Sequence, residues 1–349
     1  MTGSSTPLFY EKTVTDETLW RSIILFGRNV ATYKFALGKA LLDLAREDKT
    51  LISLDELAES YSRYLCEHLK LTEKQGTSQR SRFLDACRQY NEGSLPRDKL
   101  TEKTVELGFN NVIDAFHVVG SGEVERRFFV DERKTKKGIE ITDRLHELKD
   151  KLQFLNLPYE VEARWRLVET AWSLNISPNL LEAKHDDESQ LIFIENRDRK
   201  RVSVTSSRDS LNGYQKGKCF FCFKDIIIDD SNAYHLADVD HFFPHILTTR
   251  TTDHTFNING IWNLVLACRE CNRGAKGKFD LVPSLPLLER LYKRNEWFIE
   301  SHHPLRETII KQTGSTPEAR VTFLQTVHNV AREYRIHTWT PSATHEPAF

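Results

Sequence analysis

The sequence has no long apolar run and no excess of charge of either sign. No stretch approaches the ~18 consecutive apolar residues of a membrane span, and the first residues, MTGSSTPLFYEK, are polar and mixed, unlike the core of a signal peptide. These absences predict a cytoplasmic protein without a membrane partner. The formal net charge is -1 over 349 residues. Any affinity for nucleic acid must therefore come from local clusters of cations.

Cysteine is also scarce, but most of it is concentrated in one pattern. Four of the six cysteines form two Cys-x-x-Cys pairs, Cys219/Cys222 and Cys268/Cys271. Two residues between cysteines allow both thiolates of a pair to reach one ion, so two such pairs predict a tetrahedral four-thiolate Zn²⁺ site. A closed site of this kind has no open position for substrate, so the zinc is expected to be structural. The alternative is four ordinary buried cysteines.

The other two cysteines show no metal-binding spacing. Cys66 and Cys87 each lie within a helical pattern and are predicted to be core residues. Thiolates held by zinc, without a disulfide framework, fit a reducing compartment.

Polar residues lie between and just after the two cysteine pairs. They are, in chain order, Asp240, His241, Pro244, Asn263, Asn272 and Lys276-Gly277. This pattern resembles the HNH endonucleases, whose ββα-metal motif is often held together by a four-cysteine zinc. The third position is Asn rather than His, which is similar to the H-N-N variant in the HNH domain of RNA-guided CRISPR effectors. The resemblance covers roughly residues 207–282, and the rest of the chain shows none.

The resemblance implies a hydrolase that cuts DNA with a catalytic Mg²⁺ or Mn²⁺. In that family pattern, His241 would activate the attacking water, Asp240 and Asn272 would hold the catalytic ion, and Asn263 would hold the hairpin loop and the His241 backbone. A single site cuts one strand and leaves 5′-phosphate and 3′-hydroxyl ends. A double-strand break would need a dimer or two successive events.

The chemistry of these residue types supports the same assignment. Phosphodiester hydrolysis needs a base to activate water and a cation to neutralise developing charge, and a hard cation such as Mg²⁺ prefers oxygen ligands. Asp240 and Asn272 supply a carboxylate and an amide oxygen, while the imidazole of His241 titrates near neutral pH. Neighbouring strand residues face opposite ways, so the strand is expected to end at this Asp-His pair, with a bend at Pro244.

Further polar residues near the motif have weaker assignments. Arg273, Lys276 and Lys278 follow the second cysteine pair and are predicted phosphate contacts, with a solvated charged turn as the alternative. Asp238 shares a strand face with Asp240 and is either a supporting residue or a solvated one. Three nearby histidines are predicted to be surface or packing residues rather than ligands: His235, His245 and His254.

Two predicted hairpins carry basic tips. One tip, at residues 133–137, joins Arg126–Val130 to Gly138–Thr142, and the other, at residues 196–200, joins Leu191–Glu195 to Arg201–Thr205. A basic hairpin in a helical domain could be the wing of a DNA reader, which lies along the phosphate backbone, or a solvated turn.

Three helix starts have local signals: Ser53 and Glu56 have the spacing of a capping box, Ser207 is predicted to cap a short helix, and Thr316 is predicted to be an N-cap with Pro317 in the first helical position. The last residues, 336–349, show no clear pattern.

Apolar residues recur at helical spacing over most of the chain outside the motif. The sequence predicts a mainly α protein with a small α+β module. Its parts are a helical recognition, partner or regulatory domain (1–185), an HNH nuclease module with zinc knuckles (186–282) and C-terminal helices packed on the nuclease (283–349).

The predicted function is metal-dependent endonuclease activity on DNA. The expected partners are DNA and, through the N-terminal domain, a second copy of the chain or another protein. By analogy with stand-alone HNH proteins, the setting is bacterial restriction or phage defence. Two alternatives stay open: a zinc-stabilised nucleic-acid-binding module without catalysis, and an HNH nuclease that cuts RNA.

Overall fold

The structure, a computed structural model, is mainly helical with several small sheets, as predicted. It describes residues 14–26, 31–77, 80–173, 183–186, 188–195, 201–229, 236–247, 256–301 and 303–349. The helices are α1 (Asp16–Phe26), α2 (Tyr33–Ala45), α3 (Leu54–Leu71), α4 (Arg82–Asn91), α5 (Arg97–Lys103), α6 (Val112–Ala115), α7 (Asp143–Lys149), α8 (Leu157–Ser173), α9 (Ser207–Gln215), α10 (Arg269–Arg273), α11 (Leu285–Glu300), α12 (Arg306–Thr313) and α13 (Pro317–Tyr334).

The strands are short and form five separate small sheets within the described residues. They are β1 (Leu51–Ser53), β2 (Val118–Val119), β3 (Gly122–Glu123), β4 (Phe129–Glu132), β5 (Gly138–Ile141), β6 (Lys184–Asp186), β7 (Leu191–Glu195), β8 (Arg201–Ser206), β9 (Asp238–His241), β10 (Leu264–Ala267), β11 (Val282–Pro283) and β12 (Thr338–Trp339). None of the helices in the described ranges has the length and apolarity needed to cross a lipid bilayer.

Two helix starts follow the local sequence signals. The hydroxyl of Ser53 accepts a hydrogen bond from the Glu56 backbone, and the Glu56 carboxylate accepts one from the Ser53 backbone, which completes the capping box of α3. At α13 the Thr316 hydroxyl accepts from the Ala319 backbone at 3.2 Å, with Pro317 in the first helical position. Both predicted starts are confirmed.

The first hydrophobic core lies between α1, α2, α3, α4 and α8. Its largest fully buried side chains include Trp20, Phe35 and Trp165. The antiparallel sheet β1-β5-β4 closes one side of this core.

The predicted hairpin with the basic tip at residues 133–137 is formed by β4 and β5. Two of its four cations already have acidic partners: Arg133 pairs with Asp131 at 2.7 Å and with Asp114 at 2.6 Å, and Lys136 pairs with Glu140. These ion pairs reduce the positive charge that the tip presents to phosphate. This hairpin is therefore better interpreted as a solvated turn than as the wing of a DNA reader. The second basic tip, at residues 196–200, lies outside the described residues.

The second core begins on the other side of α8. Trp165 and Val168 of this helix face the first core, whereas Leu167 and Ala171 belong to the second. Strand β6 then pairs with β7 in the antiparallel sheet β6-β7-β8, so the predicted boundary between residues 185 and 186 falls inside a strand. Helices α9, α11, α12 and α13 complete this core.

A strand–strand–helix unit lies within the second core and carries the motif residues. Strands β9 and β10 are antiparallel, with His241 opposite Leu264 and Asp238 opposite Ala267, and α10 begins two residues after β10. Strand β9 ends at His241, as expected.

The C-terminal segment packs beside this unit, although its sequence predicts no element there. Strand β12 pairs in parallel with β11. The ring of Phe349 lies 4.8 Å from that of Tyr214 and 4.9 Å from that of Phe223, measured between ring centroids. The end of the chain therefore covers the first cysteine pair.

Candidate functional site

The four predicted cysteines form one buried cluster. The sulfur atoms of Cys219, Cys222, Cys268 and Cys271 all lie within 4.8 Å of one another, and those of Cys222 and Cys268 are 3.7 Å apart. Four sulfurs at about 2.3 Å from a tetrahedral Zn²⁺ would be separated by roughly 3.8 Å. The donor set and its spacing therefore fit a metal ion such as zinc.

Backbone hydrogen bonds hold each cysteine pair in a tight turn. In the first turn, Phe223 donates to the Cys219 carbonyl at 3.0 Å and adopts a left-handed φ of 63°. In the second, Cys268 occupies the N-cap position of α10, so Cys271 lies in the first turn of that helix. The Cys222 carbonyl also accepts a hydrogen bond from the His345 backbone at 2.8 Å, which attaches the C-terminal segment to the cluster.

The thiols influence one another because they are so close. Hydrogen bonding to Cys219, Cys268 and Cys271 lowers the pKa of the Cys222 thiol. The cluster thus favours a thiolate, the form that binds metal.

Asp240 is a buried carboxylate with one oxygen bound and one oxygen open. Its Oδ1 lies 3.2 Å from the Nζ of Lys278. Its Oδ2 is buried and has no hydrogen-bond partner among the described residues. Burial raises the pKa of Asp240 to about 6, although the charge of Lys278 opposes this shift. A buried oxygen without a donor is unusual, and a bound cation is one arrangement that would satisfy it.

Lys278 is the partner of Asp240 and is fully buried. Its ammonium group donates to the His241 carbonyl at 2.9 Å and to the Phe279 carbonyl at 3.0 Å, in addition to the contact with Asp240. A lysine has three N–H donors, so these contacts occupy all of them. The sequence predicts a phosphate contact for Lys278, but its burial is incompatible with that role, and it fixes the end of β9 instead.

Asp238 connects β9 to α10. Its two carboxylate oxygens accept hydrogen bonds from the Asn272 side-chain amide at 3.0 Å and from Arg273 at 2.9 Å. Because Asp238 and Asp240 are two residues apart on one strand, they share a face, and α10 covers that face. The amide nitrogen of Asn272 donates this bond, so its amide oxygen is not used in the contact with Asp238.

The two remaining predicted phosphate contacts are on the surface. The Arg273 side chain is 58% exposed, despite its ion pair with Asp238. Lys276 is exposed and forms no ion pair with any described residue. Both cations can therefore reach a ligand at the end of α10.

His241 is the last residue of β9 and is buried. Its ring lies beside two other imidazoles, with centroids 5.4 Å away at His245 and 6.4 Å away at His185. The contacts of the adjacent side chains thus differ: Asp240 reaches Lys278, whereas His241 lies beside the two histidines. Of the other histidines considered from the sequence, His235 and His254 lie outside the described residues.

His185 was missed as a site residue. The sequence suggests only a polar domain boundary there, and no local signal marks it as a neighbour of His241. The structure places it on β6, where its Nδ1 lies 2.8 Å from the Ser207 hydroxyl. Ser207, predicted to cap the following helix, is instead the first residue of α9, and Ser206 holds the N-cap position.

Asn263 is completely buried and bonds only to backbone in the loop between β9 and β10. Its amide nitrogen donates to the carbonyls of Phe243, at 3.0 Å, and Ile258, at 2.9 Å. Its amide oxygen accepts from the Phe243 backbone at 2.8 Å, and its carbonyl accepts from Phe242 at 2.7 Å. These bonds hold the chain immediately after His241, so Asn263 acts on loop geometry and not as a ligand.

Comparisons with known proteins do not identify a family. No protein-family model matches the chain, and neither the curated proteins nor the solved structures contain a significant match.

Proposed function

We propose that this protein is a metal-dependent endonuclease of the HNH class that cuts DNA, with zinc in its four-cysteine cluster. The observation that carries the proposal is the open, buried Oδ2 of Asp240, located on a strand–strand–helix unit whose helix start is joined to the Cys219–Cys222 turn by the cysteine cluster. In this proposal, Asn272 would contribute a second oxygen from α10, and His241 would contribute an imidazole at the strand end.

Asp240 and Asn272 would hold a Mg²⁺ or Mn²⁺ ion. When bound, such an ion neutralises charge that develops on the phosphate and on the leaving oxygen. The nearby ammonium of Lys278 offsets the charge of Asp240, so the protein by itself offers a weak cation site. Mg²⁺ commonly completes its coordination with water and substrate phosphate, which suits a site with few protein charges.

His241 would take the proton from the attacking water. An imidazole ordinarily titrates near neutral pH, and it can accept a proton and release it within one cycle. Asn263 and Lys278 support this role, because both bond to the backbone next to His241. The backbone that carries His241 is therefore held by residues from two later segments of the chain.

DNA would be held by a small number of phosphate contacts. Arg273 and Lys276 are exposed cations that follow Asn272 in the chain. Because the net charge of the whole chain is -1, binding should depend on these local cations and should weaken steeply as salt concentration rises.

The proposal is tested with purified zinc-loaded protein, Mg²⁺ and supercoiled plasmid. The wild type should nick the plasmid, and His241→Ala should abolish nicking without loss of zinc or of folded structure. His337→Ala, a change at an exposed histidine outside the site, is the matched control and should retain activity. Undiminished cutting by His241→Ala would rule out His241 as the base that activates water.

The same assay separates the alternatives when matched DNA and RNA substrates are included. Salt-dependent binding of DNA without cleavage at any Mg²⁺ or Mn²⁺ concentration would indicate a binding module that lacks catalysis. Cleavage of RNA but not of DNA would identify RNA, and not DNA, as the substrate.

A further inference from the structure

A cavity of about 400 Å³ opens in the first core, at the start of α2 and far in sequence from the motif. Apolar atoms form most of its wall, some of them from Leu84, Val112 and Ala115. Tyr33, Lys34 and Arg80 also line it. Small-molecule sites in proteins have this size and this character, with an apolar wall and a few polar groups that orient the ligand.

Lys34 is the unusual member of this lining. The residue is only 6% exposed, and its Nζ donates to the Val118 carbonyl at 3.0 Å. No carboxylate within the described part of the chain forms an ion pair with it. A buried ammonium group without an acidic partner reduces the stability of the folded state, because its hydration is lost and not replaced by an opposite charge.

The location of Lys34 in α2 adds to this cost. It is the second residue of the helix, and the first turn of α2 contains no acidic residue. The amino end of a helix carries partial positive charge and favours anions, so a cation there is repelled. Burial lowers the pKa of Lys34 to about 8, which reflects the same unfavourable environment.

Two described neighbours of Lys34, His117 and Tyr33, are uncharged and supply no negative charge. Burial, with further contributions from Arg127 and Lys34, lowers the pKa of His117 to about 3, so this imidazole is neutral. Its Nε2 accepts a hydrogen bond from the Phe128 backbone. The Tyr33 hydroxyl lies 2.7 Å from that of Ser81, and burial raises the Tyr33 pKa, so the phenol is also neutral.

We infer that the cavity binds a small organic anion, a phosphate or a carboxylate on an apolar body, with Lys34 as its counter-charge. The apolar wall takes the body, while Lys34 and the amino end of α2 take the charge. The inference is independent of the proposed nuclease activity, since no residue of the strand–strand–helix unit takes part.

The test uses the full-length zinc-loaded protein and two probes, phenyl phosphate and benzoate, with phenol and inorganic phosphate as matched partial ligands. Calorimetry should show saturable binding of at least one aromatic anion, and weaker binding of phenol and of inorganic phosphate. Which probe binds more tightly distinguishes a phosphate ligand from a carboxylate ligand. Absence of saturable binding by both probes overturns the inference.

Substitutions locate the binding. Lys34→Met should weaken binding of the anionic probe by about 10–100-fold, the range for loss of one charged hydrogen bond. Lys39→Met, on the same helix but paired with Glu162, is the matched control and should bind normally. Ala115→Leu, which fills part of the cavity and keeps the cation, should also weaken binding. Unchanged affinity in both Lys34→Met and Ala115→Leu overturns the assignment.

The thermal stability of the ligand-free protein is a second test of the role of Lys34. If Lys34 serves to bind an anionic ligand, Lys34→Met should raise the midpoint of thermal unfolding of the ligand-free protein, because an uncompensated buried cation is removed. A large fall in the midpoint would show that the bond to Val118 makes Lys34 a structural residue, and this would overturn the inference.

Discussion

The ammonium group of Lys278 lies 3.2 Å from Oδ1 of Asp240, and both side chains are buried at the end of β9. The contact gives Asp240 a counter-charge on one oxygen and leaves the other oxygen open. A buried ion pair of this kind contributes little net stability compared with apolar residues, but loss of one partner is costly. Two properties of the protein should depend on this difference between the two oxygens of Asp240.

Replacing Lys278 with methionine should destabilise the protein strongly. The change leaves Asp240 buried without its counter-charge, which typically costs roughly 3–5 kcal/mol. Urea unfolding measures the loss, and Lys276→Met, at an exposed lysine two residues earlier, should have almost no effect. Adding Asp240→Asn should restore part of the stability. If the double variant is no better, the loss comes from the two carbonyl contacts and not from the ion pair.

The same substitution should strengthen divalent-ion binding. Without the ammonium group beside it, Asp240 offers its full charge to a cation. Calorimetric titration with Mn²⁺ should give a lower Kd for Lys278→Met than for the wild type, whereas Asp240→Asn should show no binding. Equal Kd values for the wild type and Lys278→Met would mean that the ion, if it binds, is not held by Asp240.

The four-cysteine cluster should contain about one zinc per chain, as a closed four-thiolate site requires. Metal analysis of Cys271→Ala should show loss of zinc, and the midpoint of thermal unfolding should fall, because metal binding contributes directly to folding. Cys87→Ala, at a buried cysteine of the first core, is the matched control and should retain its zinc. A metal-free wild type whose stability does not change with chelator would contradict the prediction.

Asn263 should be important for stability as well as for the position of His241. Asn263→Ala leaves three buried backbone groups of Phe243 and Ile258 without their side-chain partner, and the expected loss is roughly 2–4 kcal/mol. Asn329→Ala, at an exposed position of α13, should change the free energy of unfolding by less than about 0.5 kcal/mol. Similar values for the two variants would mean that the loop keeps its conformation without Asn263.

A buried histidine in the first core predicts a pH dependence of stability. The His68 ring stacks on Trp165 and lies between two carboxylates, 2.9 Å from Glu169 and 3.2 Å from Glu162. Burial alone would lower the pKa of His68, but its hydrogen bonds to Glu162 and Glu169 outweigh burial, and the pKa is raised above 6.5. The charged form is therefore stabilised by folding.

The sign of the effect follows from this raised pKa. A group with a higher pKa in the folded state contributes its full stability below the unfolded value of 6.5, and the contribution is lost as the pH rises through the folded value. The difference in unfolding free energy between wild type and His68→Gln should thus shrink as pH rises above 6.5. Urea unfolding at several pH values measures it, with exposed His337→Gln as the control. A difference that grows with pH would contradict the raised pKa.

The two tight cysteine pairs and the helix starts could be predicted from sequence because their signals are local. Two residues between cysteines determine a tight turn, and Ser53 and Glu56 are only three residues apart, so each pattern is complete within one turn of chain. The cluster of four sulfurs and the capping box both formed as predicted. The assignments of Asp240, His241 and Asn272 to catalysis remain predictions.

The contacts between distant segments could not be predicted in the same way. The sequence predicts a phosphate contact for Lys278 because this cation follows the second cysteine pair, and only the fold shows that it is enclosed between the end of β9 and the turn after α10. His185 reaches His241 from a strand 56 residues earlier in the numbering, and Phe349 covers the first cysteine pair from the end of the chain.

The sequence by itself determined the four-cysteine cluster, the mainly helical architecture and the positions of the polar motif residues along the chain. Only the tertiary structure decided which of these residues are buried, which oxygen of Asp240 is open, and which cations face solvent. The reason is physical: spacing and capping depend on bonds within a few residues, whereas burial and charge pairing depend on segments that meet only after the two cores have packed.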